Sequence, residues 1–412
     1  MKHPERWTLA NGLRILYQED AGFPLAQATL LVGAGSRQEK RSDAGLSSMT
    51  IDLLMEGTRK RNARAIARAM ESVGASMGTQ AHEDYSEMGF IVPAKEIDRA
   101  LDVTSEVLQE PSFPQLEVTK EKAHVLASLA SRRDSIFNLA YDHLNKALYG
   151  DHPYGRPLEG NENAVRRFKR GDFRRWHAGK IRPQIGVLSI IAPLSATTVR
   201  ARLRKTLERW HPPRLAQRPT AVPPVPFLQK SLSRVIPSSF EQAYFMVGWQ
   251  APEASHDEQI PLKVLNTLLG GGMSSRLFIT LREELGLAYE VSSFYPTRLD
   301  TSQWVVYLGL PQEKLNIASQ KLEELLETFA RRGPAAAELL QAKAMIRGAF
   351  LMDRQSRRRQ AWYRAWWEFL QRGPDYGEEF LAAVDVVTAK TVQNLMKKIL
   401  AQPRATVTVV PK

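Results

Sequence analysis

The chain has 412 residues, 43% of them apolar, a formal net charge of +13 and no cysteine. That length suits two to three domains with real cores, and the missing cysteine excludes disulfides and thiolate metal sites. The longest apolar run, 185–194, is too short to cross a bilayer.

Taken in order, WTLANGLRILY (7–17) reads as a hairpin with an Asn-Gly turn. AQATLLVGAGS (26–36) is a buried strand, and a helix follows from Asp43 to Met55. RNARAIARAMESVG is a further helix ended by Gly74, with strands over 75–93 and a helix over 95–110. After the Pro-punctuated turn PSFP (111–114), helical periodicity runs from Gln115 to Ala147. GDHPYGRPLEG (150–160) is a loop in which His152 orders the backbone, and 184–192 is another apolar strand.

The second half repeats this order at an offset of about 215–220 residues. FEQAYFMVGWQAP (240–252) matches the early strand, and PLKVLNTLLG (261–270) matches the helix at 43–55. Residues 321–343 line up with 100–122, proline turn against proline turn. SRRDSIFNLAYDHLNKALYGD has its counterpart in SRRRQAWYRAWWEFLQRGPD. Between the halves, 210–230 carries six prolines, which do not fit inside regular elements. The expectation is an α+β protein of two duplicated domains, 1–209 and 231–412, joined by a linker over 210–230. Each domain is a mainly antiparallel sheet with helices on one face, and the pair closes as a clamshell.

The basic charge invites a nucleic-acid reading, most of all at 354–372, where arginines alternate with Trp362, Tyr363, Trp366, Trp367 and Phe369. Positions 362, 366 and 369 share one helical face, however, which favours a core helix with a basic outer side.

One stretch carries candidate chemistry. LLGGGMSSRLFITLREELGLAYEV (268–291) opens with Gly270, Gly271 and Gly272. It continues as a helix capped by Ser274 or Ser275 and stopped at Gly286, then enters a strand near Tyr289. Arg282 in the last helical turn and Tyr289 at the strand start are brought together by the reversal between them. A guanidinium and a phenol suit a carbonyl oxygen or the oxyanion formed from it. Helix-dipole compensation and ordinary strand preference explain the same two residues without function. Elsewhere, His82, Glu83 and Asp84 form the only dense cluster; on a strand they would point to alternating faces, and a solvated turn or edge is favoured over a metal site. His124 reads as structural. No nucleophile elbow or phosphate loop is present.

The chain resembles the pitrilysin/insulinase family of zinc peptidases, the inverzincins, over essentially its whole length. The resemblance rests on NGLRIL (11–16), VGAGSRQE (32–39), GLSSMTIDLLMEGT (45–58), DHPYGRPLEG (151–160) and LREELGLAY (281–289). Active members carry H-x-x-E-H on the helix matching 45–58, with two zinc-binding His, a Glu that activates water, and a later Glu as third ligand. The matching residues are Ser48, Ile51 and Asp52, and the later position holds Ser128. Glu121 stands where the family carries a further Glu.

The resemblance implies that the Arg282/Tyr289 pair assists a zinc site on another subunit. It also implies that Gly270–Gly272 correspond to a shortened form of the glycine-rich loop of the non-catalytic subunit of mitochondrial processing peptidase. The expected role is that of a non-catalytic, substrate-binding subunit, inactive alone, in a heterodimer with a homologous zinc-binding partner. Zinc sits in that partner, this chain holds no metal or cofactor, and the substrates are unfolded peptides. The alternative is a structural or assembly subunit, as in the core subunits of the respiratory cytochrome bc complex. Neither nucleic acid nor a membrane span is expected. The first residues, MKHPERWTLANGL, lack the apolar centre of a secretory leader, so the expected compartment is the cytoplasm, or the periplasm if a leader has been removed.

Overall fold

The computed structural model describes residues 3–211 and 222–412. The middle of the Pro-rich linker, 212–221, lies outside the described residues. The strands are β1 (Glu5–Thr8), β2 (Arg14–Glu19), β3 (Leu25–Val32), β4 (Ser76–Ala81), β5 (Ser86–Pro93), β6 (Gly186–Ala192), β7 (Leu232–Ser238), β8 (Ala243–Ala251), β9 (Glu290–Phe294), β10 (Ser302–Leu310) and β11 (Arg404–Pro411). The helices are α1 (Leu46–Leu53), α2 (Ala63–Glu71), α3 (Ile97–Gln109), α4 (Gln115–Arg132), α5 (Ile136–Tyr149), α6 (Glu162–Arg167) and α7 (Arg170–Lys180), followed by α8 (Ala196–Thr206), α9 (Gln259–Gly270), α10 (Leu315–Arg332), α11 (Ala336–Asp353), α12 (Arg357–Phe369), α13 (Tyr376–Val386) and α14 (Ala389–Leu400).

The strands form two sheets, ordered β1-β2-β6-β3-β5-β4 and β7-β11-β8-β10-β9. Without β1 the two orders correspond strand for strand. Each sheet is antiparallel except for one parallel pair, β2 with β6 and β7 with β11. The duplication read from the sequence is thus a duplication of topology. The first hairpin forms as the Asn-Gly pair predicts, with Thr8 opposite Arg14 and Gly12 at φ +91°.

Two compact units result, and neither is a continuous stretch of chain. The first comprises 1–129, 157–222 and 353–377; the second comprises 130–156, 223–352 and 378–412. In the first unit, β3 is buried along nearly its whole length. Its alternate residues Ala28, Leu30 and Val32 join the main core with Leu101 of α3 and Phe173 of α7. Leu31 faces the other way, together with Leu16 and Val187, and there meets Ala365, Trp362, Trp366 and Phe369 of α12. Trp362, Trp366 and Phe369 of the basic helix therefore pack against the sheet, as their spacing predicts.

The second unit repeats the arrangement. Tyr244, Met246, Val305 and Val407 pack against Ala140, Leu144 and Leu148 of α5. Gly248 lets α5 come close, since a methyl there would lie 3.1 Å from Leu144 and Leu148. From the opposite face the Trp304 indole, stacked 5.2 Å from Trp249, donates to Asn266 of α9 at 3.1 Å. Each sheet thus has its main helical layer on one face, and a single helix from the other half of the sequence on the second.

That exchange explains one departure from the sequence reading. The helix expected over 115–147 breaks at 133–135, where Ser135 caps α5 by accepting from the Asn138 amide at 3.3 Å. Periodicity runs through the break because both pieces are amphipathic, but α4 and α5 bury their apolar faces in different units.

Candidate functional site

The sequence singles out two places, one in each unit. In the first, α1 begins at Gly45, whose φ is +94°. The buried Glu39 carboxylate accepts from the Gly45 amide at 3.0 Å, the Ser47 amide at 2.7 Å and the Ser47 hydroxyl at 2.6 Å. A fixed negative charge at a helix N-terminus satisfies its orphan amides and suits the dipole. Along this helix Ser48 and Asp52 are half-buried, and Ile51 belongs to the core at 2% exposure. Ser128, on α4, is exposed.

Asp52 instead has acidic neighbours. Burial first, then Glu121 of α4, pushes its carboxyl up to about 6, and Glu56 adds to the shift. Glu121 and Glu56 are themselves raised, chiefly by burial. His124 lies one helical turn from Glu121, at 3.8 Å, with its side chain 77% exposed. It is not the structural histidine expected from the sequence; its i,i+3 spacing to Glu121 was the available signal. Despite this gathering, no three His, Asp or Glu side chains among the described residues converge closely enough to hold a metal ion. One carboxylate and a core isoleucine on α1 do not fit a zinc ion, which needs three protein donors in tetrahedral reach. The other histidines do not alter this. His82 stacks on Tyr85 at 4.4 Å, and His152 accepts from the Tyr154 amide at 3.2 Å, ordering its loop as expected.

In the second unit, residues 278–284 form a π-helical turn rather than the expected α-helix, and no side chain caps it. Ser275 is buried and its hydroxyl has no hydrogen-bond partner among the described residues. The wider turn ends where the Leu287 amide reaches back to the Leu281 carbonyl at 2.8 Å, with Gly286 at φ +56° between them. Tyr289 then joins the sheet, its amide donating to Gly309 at 2.9 Å. Arg282 and Tyr289 stand on the two sides of this closure. Both are exposed, Tyr289 at 66%. The Arg282 guanidinium lies 4.9 Å from the centre of the Phe278 ring. Neither side chain hydrogen-bonds or ion-pairs with another described residue, which leaves six N–H and O–H donors free for an outside acceptor.

The glycines differ among themselves. A methyl on Gly270 would lie 2.2 Å from the Ser293 amide nitrogen, and one on Gly271 2.7 Å from Thr267 Cα. Gly272 would meet only the Met345 side-chain terminus, at 3.3 Å. Packing between α9 and β9 accounts for the first glycine, and the third is the one left open.

Two family models match the chain. One, the insulinase model of peptidase family M16, matches residues 14–162; the other, the peptidase M16 inactive domain, matches residues 167–346. The chain belongs to the M16 insulinase family. An uncharacterized zinc protease of Bacillus subtilis, YmxG, is 28% identical over 353 residues, covering 85% of each chain. An uncharacterized zinc protease of Mycobacterium leprae is 28% identical over 409 residues, covering 96% of this chain and 89% of its own. Among solved structures, a Pseudomonas fluorescens protein described as a peptidase M16 inactive domain superposes with a TM-score of 0.92 at 22% identity, covering 100% of this chain and 98% of its own. A Helicobacter pylori protease superposes at 0.90 with 19% identity, covering 99% of both chains. The family model matching the second half is thus described as inactive, and the α1 positions matching H-x-x-E-H hold Ser48, Ile51 and Asp52. No helix among the described residues is long and apolar enough to cross a membrane.

Proposed function

We propose that this M16 chain is the non-catalytic, substrate-binding subunit of a heterodimeric zinc peptidase that cleaves unfolded peptides. The observation that carries the reading is the state of Arg282 and Tyr289. Both are exposed and neither hydrogen-bonds nor ion-pairs with another described residue, in a chain whose own α1 offers Ser48, Ile51 and Asp52 in place of a metal-binding set. The guanidinium and the phenol would, in this reading, donate to a peptide carbonyl and to the oxyanion that forms from it.

In this reading the zinc and the activated water belong to a homologous partner bearing H-x-x-E-H, and the zinc positions of this chain are lost. This chain supplies two donors and a surface for the peptide backbone at Gly270–Gly272, chiefly Gly272. An extended, unfolded substrate suits recognition along sheet edges and glycine loops. The working compartment in this reading is the cytoplasm.

The test begins with capture of the chain from its native lysate. The expected result is one stoichiometric partner of similar length carrying H-x-x-E-H. With that complex in hand, Arg282→Ala and Tyr289→Phe should each leave assembly intact and lower peptide turnover, on the order of 10²-fold for one lost oxyanion donor. A chain that comes down alone, or turnover unchanged in both variants, overturns the proposal.

A further inference from the structure

The first unit contains a cavity of about 410 Å³ walled by the end of α3, the 111–113 turn, one face of α7 and residues 210–211. None of its residues belongs to the degenerate zinc positions or to the Arg/Tyr pair. Arg59, Arg170 and Arg174 all line it. Arg170 and Arg174 lie one turn apart on α7 and share a single acceptor, the Ser112 carbonyl. Arg170 donates to it through Nε at 3.1 Å and Nη2 at 2.8 Å, and Arg174 through Nη2 at 3.4 Å. Arg59 is positioned by its backbone, whose amide donates to the Glu110 carbonyl at 3.0 Å, and its side chain bonds no described residue.

Among the described residues the cavity lining carries more cationic than anionic side chains. None of the three guanidiniums is ion-paired with a described residue. The one carboxylate in the lining, Glu110, is held by Lys60 at 3.3 Å. His177 adds no charge: burial keeps its imidazole neutral, with its ordinary value brought down to about 4, and Nε2 bonds the Leu108 carbonyl at 2.8 Å. Three permanent like charges around one cavity repel each other, and most of their fifteen N–H donors remain unused. The floor is apolar, with the buried Phe113 ring packed on Phe173 at 6.2 Å. Phe113 itself takes φ +49°, a conformation that a bulky residue adopts only under constraint.

We infer that this cavity is a binding site for a small organic phosphate, a phosphomonoester with a flat apolar body. Guanidinium forks match phosphate oxygens bidentately, and three of them balance a dianion better than a monoanion. The volume suits a ligand of drug size, with its apolar part against Phe113 and Leu108.

Calorimetric titration of the whole chain at about 150 mM salt, where loose surface attraction is screened, tests this with phenyl phosphate, benzoate and inorganic phosphate. Phenyl phosphate should bind at one site per chain, and benzoate and inorganic phosphate each at least about tenfold more weakly. Arg59→Ala with Arg174→Ala should weaken phenyl phosphate by about tenfold or more while the melting temperature holds. If that pair lowers the melting temperature, Arg59→Gln alone reads the same loss, since its side chain bonds no described residue. Absence of saturable binding, equal affinity in the arginine variants, or benzoate binding as tightly as phenyl phosphate overturns the inference. Inorganic phosphate binding as tightly overturns the organic part of it. The readout involves no peptidase activity, so it stands or falls apart from the subunit role.

Discussion

Gly270 approaches β9 so closely that a methyl group in its place would lie 2.2 Å from the Ser293 backbone nitrogen. No rotamer change relieves a clash with backbone, so Gly270→Ala must push α9 away from β9. Overpacking of this kind costs about 1–3 kcal/mol. Gly272→Ala meets only the flexible Met345 terminus at 3.3 Å, and its cost should stay below about 1 kcal/mol. Chemical denaturation of the two variants separates them; equal midpoints would contradict the packing role of Gly270.

Arg282 and Tyr289 should be dispensable for folding. Both are exposed, and their side chains contribute nothing to the hydrogen-bond network among the described residues. Replacing either by alanine should shift stability by less than about 0.5 kcal/mol, the ordinary range for surface positions. A larger loss on denaturation would mean that the pair serves the fold and that its free donors are incidental.

The acidic neighbourhood of α1 makes stability depend on pH in a defined direction. The Asp52 carboxyl is raised from 3.8 to about 6, first by burial and then by Glu121. Between those values the folded chain keeps a proton that the unfolded chain has released. The contribution is therefore full below about pH 4 and is lost as pH rises through 6, by an amount on the order of 3 kcal/mol. Asp52→Asn removes the titration. The variant should match the parent near pH 4 and exceed it at pH 7.5, in denaturant melts run at both pH values. A difference independent of pH would refute the assignment to Asp52.

Zinc should not stabilise this chain on its own. A ligand present at a hundred times its dissociation constant adds about 2.7 kcal/mol to a fold that binds it, which a melting curve detects readily. With no three converging donors among the described residues, the melting temperature should be the same with zinc and with a chelator. A rise with added zinc would reveal a metal site that the donor set does not suggest.

Much of this was legible in the sequence. The order of strands within each sheet was not, nor were the strands at 232–238 and 404–411. The duplication follows from the repeated order of segments, and the inward face of α12 from periodicity, because helical spacing marks which residues leave water. Periodicity does not say against which sheet they are buried. Trp362 and Trp366 were readable as core residues, but their partners Leu16 and Val187 were not. The turn around Arg282 was readable as helical, but Leu277, Phe278 and Leu281 fit α and π winding alike, so the wider turn was hidden. The acidic group around Asp52 joins two helices, and the arginine cavity draws on segments near 59, 110 and 170. Such gatherings depend on tertiary placement and leave no local pattern.

The crossed helices have a consequence for how this molecule can be divided. A cut in the linker yields one fragment carrying α5 without the sheet it covers, and another carrying α12 in the same position. Each fragment would also leave a bare apolar face, Leu16, Leu31 and Val187 in one and Tyr244, Met246 and Val407 in the other. Neither half is a self-sufficient body that evolution or a protein engineer could recombine freely. Each sheet is completed by a helix from the other half of the sequence, so the two halves fold only as a single piece.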